Sequence, residues 1–257
     1  MCLTDLPEPA PTLAIEEVNH EYEDFILEDT PEAVKFPHWT AHLRSFWGWY
    51  GEEPDYRCTE EDLPQLKQVI SDGLRAIGYL DFAKNIEAAE NDAAINAEII
   101  FQYTSETGLY GDVNRLLRTS HRGDILRGNP LAAWILQLNS AIRQKPEFEG
   151  ISYRGSNMQS SEIIQYQPGL MFVWSAFISA SQNRDIAIDH RGNVLFDIKP
   201  GGSYSMYGKR NPFNISEHSN FPGEQEVVFP IACTYRVINI RKDAHRTLIS
   251  LQTVDQY

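Results

Sequence analysis

Asn220-Phe221-Pro222-Gly223-Glu224-Gln225-Glu226-Val227-Val228-Phe229-Pro230 sets a short apolar run directly after a Pro-Gly turn. Val227, Val228 and Phe229 read as a buried strand bounded by Pro222-Gly223 and Pro230. Glu224 and Glu226 open that strand. Residues i and i+2 of a strand share a face, so both carboxylates are expected on one side. Two like charges held so close cost free energy unless a cationic or polar group uses them. Taken alone, Glu-x-Glu reads as a solvated strand end, and the rest of the C-terminal half has to decide the matter.

Working outward, residues 151–154, 170–174, 177–181, 194–198, 227–231, 234–240 and 247–251 are short β-rich runs with turn residues between them. Upstream the texture is helical. Leu63, Leu66, Val69, Ile70, Leu74 and Ile77 recur at three and four, after an N-cap and acidic first turn in Thr59-Glu60-Glu61-Asp62. A second helical run is predicted over 81–103, broken by Gly108 and Gly111, with short helical pieces over 113–117 and 129–143. Helices first and strands afterwards predict an α+β domain rather than alternating βαβ units. Residues 1–35 are acidic and proline-bearing, and 36–56 are dense in aromatics, including Trp39, Trp47 and Trp49. The expected organisation is an acidic, aromatic-bearing extension over 1–58, packed on a domain over 59–257.

The chain is 42% hydrophobic, enough to bury a core, and carries a formal charge of -14. That charge argues against nucleic acid or an anionic membrane as the main partner, since phosphate binding needs a Lys/Arg surplus. Cys2, Cys58 and Cys233 are widely spaced and odd in number, which suits reduced thiols. The first residues lack a basic region and an apolar run, and no stretch approaches a membrane-spanning length. A cytoplasmic protein is expected, or one exported without a classical signal peptide. His38 and His42 stand four apart but find no further ligands at sensible spacing, so no metal is expected. The run from Gly202 to Lys209 fails as a phosphate loop, because Arg210 stands where Ser or Thr should hold magnesium.

Three pieces survive, in this order: Tyr153-Arg154-Gly155, Phe177-Ile178-Ser179-Ala180-Ser181 and Glu224-Gln225-Glu226. Singly they read as a turn, a pair of surface hydroxyls and a strand end; together and in order they are hard to obtain by chance. Over roughly residues 100–240 the sequence resembles the Arg-Gly, Ser-x-Ser, Glu-x-Glu class of arginine-specific mono-ADP-ribosyltransferases, which includes bacterial toxins and effectors and vertebrate enzymes. Asn114-Arg115-Leu116-Leu117-Arg118 is similar to that family's helix behind the nicotinamide pocket, and residues 215–221 to its substrate-recognition turn. The middle motif is Ser-Ala-Ser rather than the frequent Ser-Thr-Ser, which keeps both serines.

The resemblance implies a split, mixed β core with N-terminal helices and NAD⁺ as substrate in the cleft. It implies transfer of ADP-ribose to an arginine of a target protein, with release of nicotinamide. Glu226 is the implied catalytic carboxylate, set against an oxocarbenium-like transition state. Ser179 would hold Glu226 in place, and Arg154 would pair with the NAD⁺ diphosphate. Tyr153, Gly155, Phe177 and Ser181 complete the NAD⁺ surface. Glu224 would orient the acceptor guanidinium and draw off its proton, and Phe221 would help hold the target. Two alternatives stay open on sequence: an NAD⁺ glycohydrolase with water as acceptor, and a non-catalytic binding module. Delivery as an effector into a host cytosol is a further expectation of the resemblance.

Overall fold

A computed structural model describes residues 63–119, 129–174, 176–189, 192–201, 211–231, 233–243 and 245–254. The predicted extension over 1–58, the helix start at Thr59–Asp62, the pair His38 and His42 and the stretch 202–210 lie outside these residues. Among the described residues five helices come first: α1 (Leu63–Ala76), α2 (Leu80–Ala88), α3 (Asp92–Tyr103), α4 (Leu109–Thr119) and α5 (Ala132–Arg143). α1 buries Ile70 and Leu74 but leaves Val69 and Ile77 exposed, so its apolar stripe is narrower than the sequence repeat implies. A Cβ on Gly73 would meet the Pro130 carbonyl oxygen at 1.9 Å, so α1 lies directly on the entry to α5. That contact requires glycine.

The helical run expected over 81–103 is two helices. Ala89 is extended, and Asn91 caps α3 by accepting a hydrogen bond from the Ala94 amide at 2.9 Å. Local capping by Asn outcompetes a continuous helix here. The expected break at Gly111 is also corrected: only Gly108, at φ +88°, stands outside a helix, and Gly111 sits in the first turn of α4. Leu109, Val113 and Leu117, spaced by four, bury the inner face of α4. α5 is buried along its whole length, Gln137 and Asn139 included. Gln137 offsets that burial through hydrogen bonds to Asn96 at 2.7 Å and Asp92 at 3.2 Å on α3.

Eight strands follow among the described residues: β1 (Ser152–Ser156), β2 (Met171–Trp174), β3 (Ile178–Ser181), β4 (Val194–Lys199), β5 (Phe213–Asn214), β6 (Glu226–Phe229), β7 (Cys233–Lys242) and β8 (Thr247–Val254). Short helices α6 (Ser160–Ile163) and α7 (Arg184–Asp189) sit between them. The sheet order is β2-β7-β8-β4-β1-β3-β6-β5, with β4 and β8 parallel and the remaining pairs antiparallel. The α+β class and the mixed sheet are as expected. The split takes the form of a pinch, because β1 and β3 share the single pair Tyr153↔Ser181.

Alternation along β3 and β6 explains why the sheet is buried on both faces there. Val228 joins Phe177, Phe213 and Ile215 in the helical core. Val227 and Phe229 join Ile178, Ala180, Phe196 and Tyr235 in a second core on the other face.

Candidate active site

β1 brings Arg154 to the pinch. Its side chain is 3% exposed, and Nη1 donates to the Ser179 carbonyl oxygen at 2.7 Å, bridging β1 and β3. A guanidinium buried this deeply must be hydrogen-bonded, and this bond fixes its orientation. Gly155, next along β1, is buried opposite Leu195 of β4, and Tyr153 is half-buried opposite Asp197.

β3 supplies both serines. Ser181 pairs in register with Glu226, donates its hydroxyl to the Glu224 carbonyl at 2.7 Å and accepts from the Asn183 amide at 2.9 Å. The Gln182 amide donates to the Gln225 carbonyl at 3.0 Å. The end of β3 therefore grips the segment that carries the two glutamates. Ser179 lies fully buried one pleat deeper, its hydroxyl 3.4 Å from that of Tyr103 at the end of α3.

The sequence reading placed Glu224 and Glu226 together on one strand, and the structure corrects this. Glu224 ends a 3-10 turn, Pro222–Glu224, which starts on a proline as such turns favour. Gln225 is left-handed at φ +50°, the one positive-φ residue other than glycine among the described residues. β6 begins only at Glu226. The two carboxylates are thus related by a reversal of the chain rather than by the pleat. Strain of this kind costs about 1–3 kcal/mol and persists where the surroundings impose it.

Glu226 is 1% exposed, and its Oε2 accepts the Ser219 hydroxyl at 3.2 Å. Its Oε1 is buried with no hydrogen-bond partner among the described residues. Burial pushes the carboxyl up to about 7; the Ser179 hydroxyl opposes this, the nearby Glu224 charge adds to it and the Ser219 hydroxyl opposes it again. Glu224 itself is half-buried. Expectation gave Ser179 the task of holding Glu226. Ser179 favours the charged form, and Ser219 adds a hydrogen bond of 3.2 Å to Oε2. Ser219 also accepts from the amide of the half-buried Phe221 at 3.1 Å.

Behind these groups stands an aromatic wall. Tyr103 packs edge-on against Phe177 at 5.6 Å and Tyr110 at 5.2 Å. Burial, with smaller contributions from Tyr110 and Glu226, raises the Tyr103 hydroxyl well above its ordinary value, so it stays a neutral donor. Asn114 of α4 accepts the Phe177 amide at 3.2 Å, tying the expected pocket helix to the start of β3. Ser219, Tyr103 and Asn220 received no individual roles from the sequence. A polar residue in a turn and a core aromatic carry no signal until the fold shows what they touch.

The arrangement offers a buried carboxylate beside a second carboxylate nearer the surface. Such a group stabilises a positive centre developing next to it, strongly so where water is excluded. Among the described residues, no group of three or more His, Cys, Asp and Glu side chains could hold a metal. None of the described helices is long and apolar enough to cross a membrane.

Known proteins share this architecture. The chain is similar to Vis of Vibrio splendidus, named an NAD(+)–arginine ADP-ribosyltransferase, with 26% identity over 76% of each chain. It is 30% identical over 118 residues to Mav of Mycobacterium avium, named for the same activity; the match takes in 44% of this chain and 13% of that protein. In three dimensions it is similar to ADP-ribosyltransferase HopU1 of Pseudomonas syringae, with a TM-score of 0.58, 19% identity and 78% and 100% of the two chains covered. Vis in complex with agmatine superposes with a TM-score of 0.51 and 23% identity, covering 77% and 87%. The model of one family, NAD:arginine ADP-ribosyltransferase, matches residues 86–257. With that match spanning most of the chain, the protein belongs to the NAD:arginine ADP-ribosyltransferase family.

Proposed function

We propose that this protein transfers ADP-ribose from NAD⁺ to an arginine side chain of a target protein, releasing nicotinamide. The observation that carries the reading is the buried Glu226 carboxylate, fixed by Ser219 through one oxygen, with the half-buried Glu224 beside it. Breaking the N-glycosidic bond of NAD⁺ leaves positive charge on the ribose. Glu226 stabilises that charge, and Ser179 and Ser219 keep its carboxylate in place. Binding of the cationic nicotinamide ring favours the ionised form of Glu226, so the bound substrate brings the carboxylate into its working state. Arg154, oriented through the Ser179 carbonyl, pairs with the diphosphate. Tyr153, Gly155, Phe177 and Ser181 contribute to the NAD⁺ surface, Ser181 chiefly by gripping the Glu224 carbonyl.

Glu224 receives the acceptor guanidinium, orients it and takes its proton as the nitrogen attacks. Agmatine, which the relative Vis binds in a crystal, is a guanidino compound of this kind. Phe221, half-buried at the same turn, contacts the target. The domain bounds follow the same reading: a transferase domain over 59–257 and an extension over 1–58. The reaction is placed in a cytosol, where NAD⁺ and protein targets meet, with delivery into another cell as the route for a family that includes effectors.

Incubation with labelled NAD⁺ and agmatine tests the proposal, comparing wild type with Glu226→Gln and Glu224→Gln. Wild type should label agmatine. Glu226→Gln should lose nicotinamide release and labelling together, and Glu224→Gln should lose labelling while still releasing nicotinamide. Nicotinamide release by wild type with no labelled acceptor would replace the proposal with a glycohydrolase, and absence of NAD⁺ binding would leave a binding module.

A further inference from the structure

α3 ends beside the acceptor turn, and its last carbonyls are among the groups that no helix satisfies internally. Asn220, immediately before Phe221, supplies one missing donor from a distant part of the chain. Its Nδ2 donates to the Phe101 carbonyl at 2.6 Å and to the Thr104 hydroxyl oxygen at 3.0 Å, and its backbone amide donates to the same oxygen at 3.0 Å. The Thr104 hydroxyl donates in turn to the Phe101 carbonyl at 3.2 Å. A hydroxyl has one proton to give and two lone pairs to receive, so Thr104 uses all of its capacity here. Thr104 is fully buried, and its neighbour Tyr103 reaches Ser179 from the same helix end. One helix terminus thereby touches both the serine behind Glu226 and the turn that leads to Glu224.

Resting on the transfer reading above, we infer that Asn220 and Thr104 form a clamp that sets how ADP-ribose is shared between arginine and water. The turn docks on α3 as a cap supplied from outside the helix, and that docking holds residues 221–224 at the fixed place an incoming guanidinium needs. Asn220 and Thr104 are positioning residues, with no contact to the reacting atoms assigned to them. Loss of the clamp loosens the acceptor side at residues 220–224, while Glu226 keeps its place at the start of β6, paired with Ser181 and with the Ser179 and Ser219 hydroxyls at its carboxyl. Water needs no docking surface, so hydrolysis continues where transfer fails.

The full chain carrying Thr104→Val, which matches the shape without accepting a hydrogen bond, is compared with Thr104→Ser, which keeps the oxygen, and with Asn220→Ala. Loss of the two hydrogen bonds that Asn220 donates to Thr104 should lower the ratio of labelled agmatine to released nicotinamide about tenfold in Thr104→Val. The KM for agmatine should rise, the KM for NAD⁺ should hold, and Thr104→Ser should restore the wild-type ratio. Amide exchange over residues 220–224 should quicken in Thr104→Val while that of β6 stays unchanged, a readout independent of turnover. An unchanged ratio, or an equal fall in both activities with β6 exchange also raised, would overturn the clamp and leave Thr104 as general support for the fold. Wild type that releases nicotinamide without labelling agmatine would overturn the transfer reading itself and this inference with it. The two failures are thus told apart by the wild-type lane alone.

Discussion

Above neutral pH the native protein holds an ionised carboxylate at a position that is 1% exposed. The carboxyl of Glu226 sits at about 7 in the folded state against an ordinary 4.5, chiefly because of burial. At about 1.4 kcal/mol per pH unit, that rise corresponds to about 3 kcal/mol. Between the two values the native state keeps a proton that the unfolded chain has released, so stability falls as pH rises. The contribution is complete below 4.5 and gone once pH has passed about 7. Glu226→Gln removes the charge and keeps the shape. Relative to wild type it should gain about 3 kcal/mol at pH 8 and less than about 1 kcal/mol at pH 5. Urea unfolding of both proteins across that range measures the gap directly, because other titrating groups cancel in the comparison. The same variant should no longer release nicotinamide, trading activity for stability at one residue. A gap that stays flat with pH, or a variant less stable than wild type at pH 8, would refute the reasoning.

The same carboxyl should govern the pH profile. Nicotinamide release at low NAD⁺ should climb with pH through a midpoint near 7, as Glu226 ionises in the free enzyme. A profile flat from pH 6 to 8 would exclude Glu226 as the group whose ionised form acts. Gly73→Ala drives a methyl into the Pro130 carbonyl, 1.9 Å away, and should cost about 2 kcal/mol in thermal or urea unfolding. Gln225→Val puts a β-branched residue at φ +50° and should cost about 2 kcal/mol, whereas Gln225→Gly should be close to neutral.

Much of the architecture could be read from the chain because the apolar periodicities are strong and local. The helices-then-strands order came through, and the β-rich runs expected at 170–174, 177–181 and 227–231 correspond to β2, β3 and β6. The misreadings have specific causes. Asn91 stops a helix that the hydrophobic pattern alone would continue, since a capping side chain leaves no trace in periodicity. Glu224 looked like a strand residue because nothing in Glu-Gln-Glu announces a left-handed glutamine; the surrounding hydrogen bonds from Ser181 and Gln182 impose it. Ser219, Thr104 and Asn220 were not legible as partners. Thr104 and Asn220 stand 116 positions apart, and only the packed fold brings them together. β5, two residues long, gains its order from partners distant in sequence, β6 on one side and a bridge to Glu147 on the other.

The strand β8 stands last in chain order among the described strands, yet it lies inside the sheet, between β7 and β4. During synthesis, a chain that has emerged only as far as β7 therefore lacks the piece that seams its sheet together. β4 would face outward with unpaired backbone along its whole length, and β1, which carries Arg154, would hang from a ladder without its outer support. Parallel pairing of β4 with β8 joins residues about fifty positions apart, a closure that folds late because the loop must be ordered first. The sheet that carries Arg154 is thus completed only when β8 takes its place between β7 and β4.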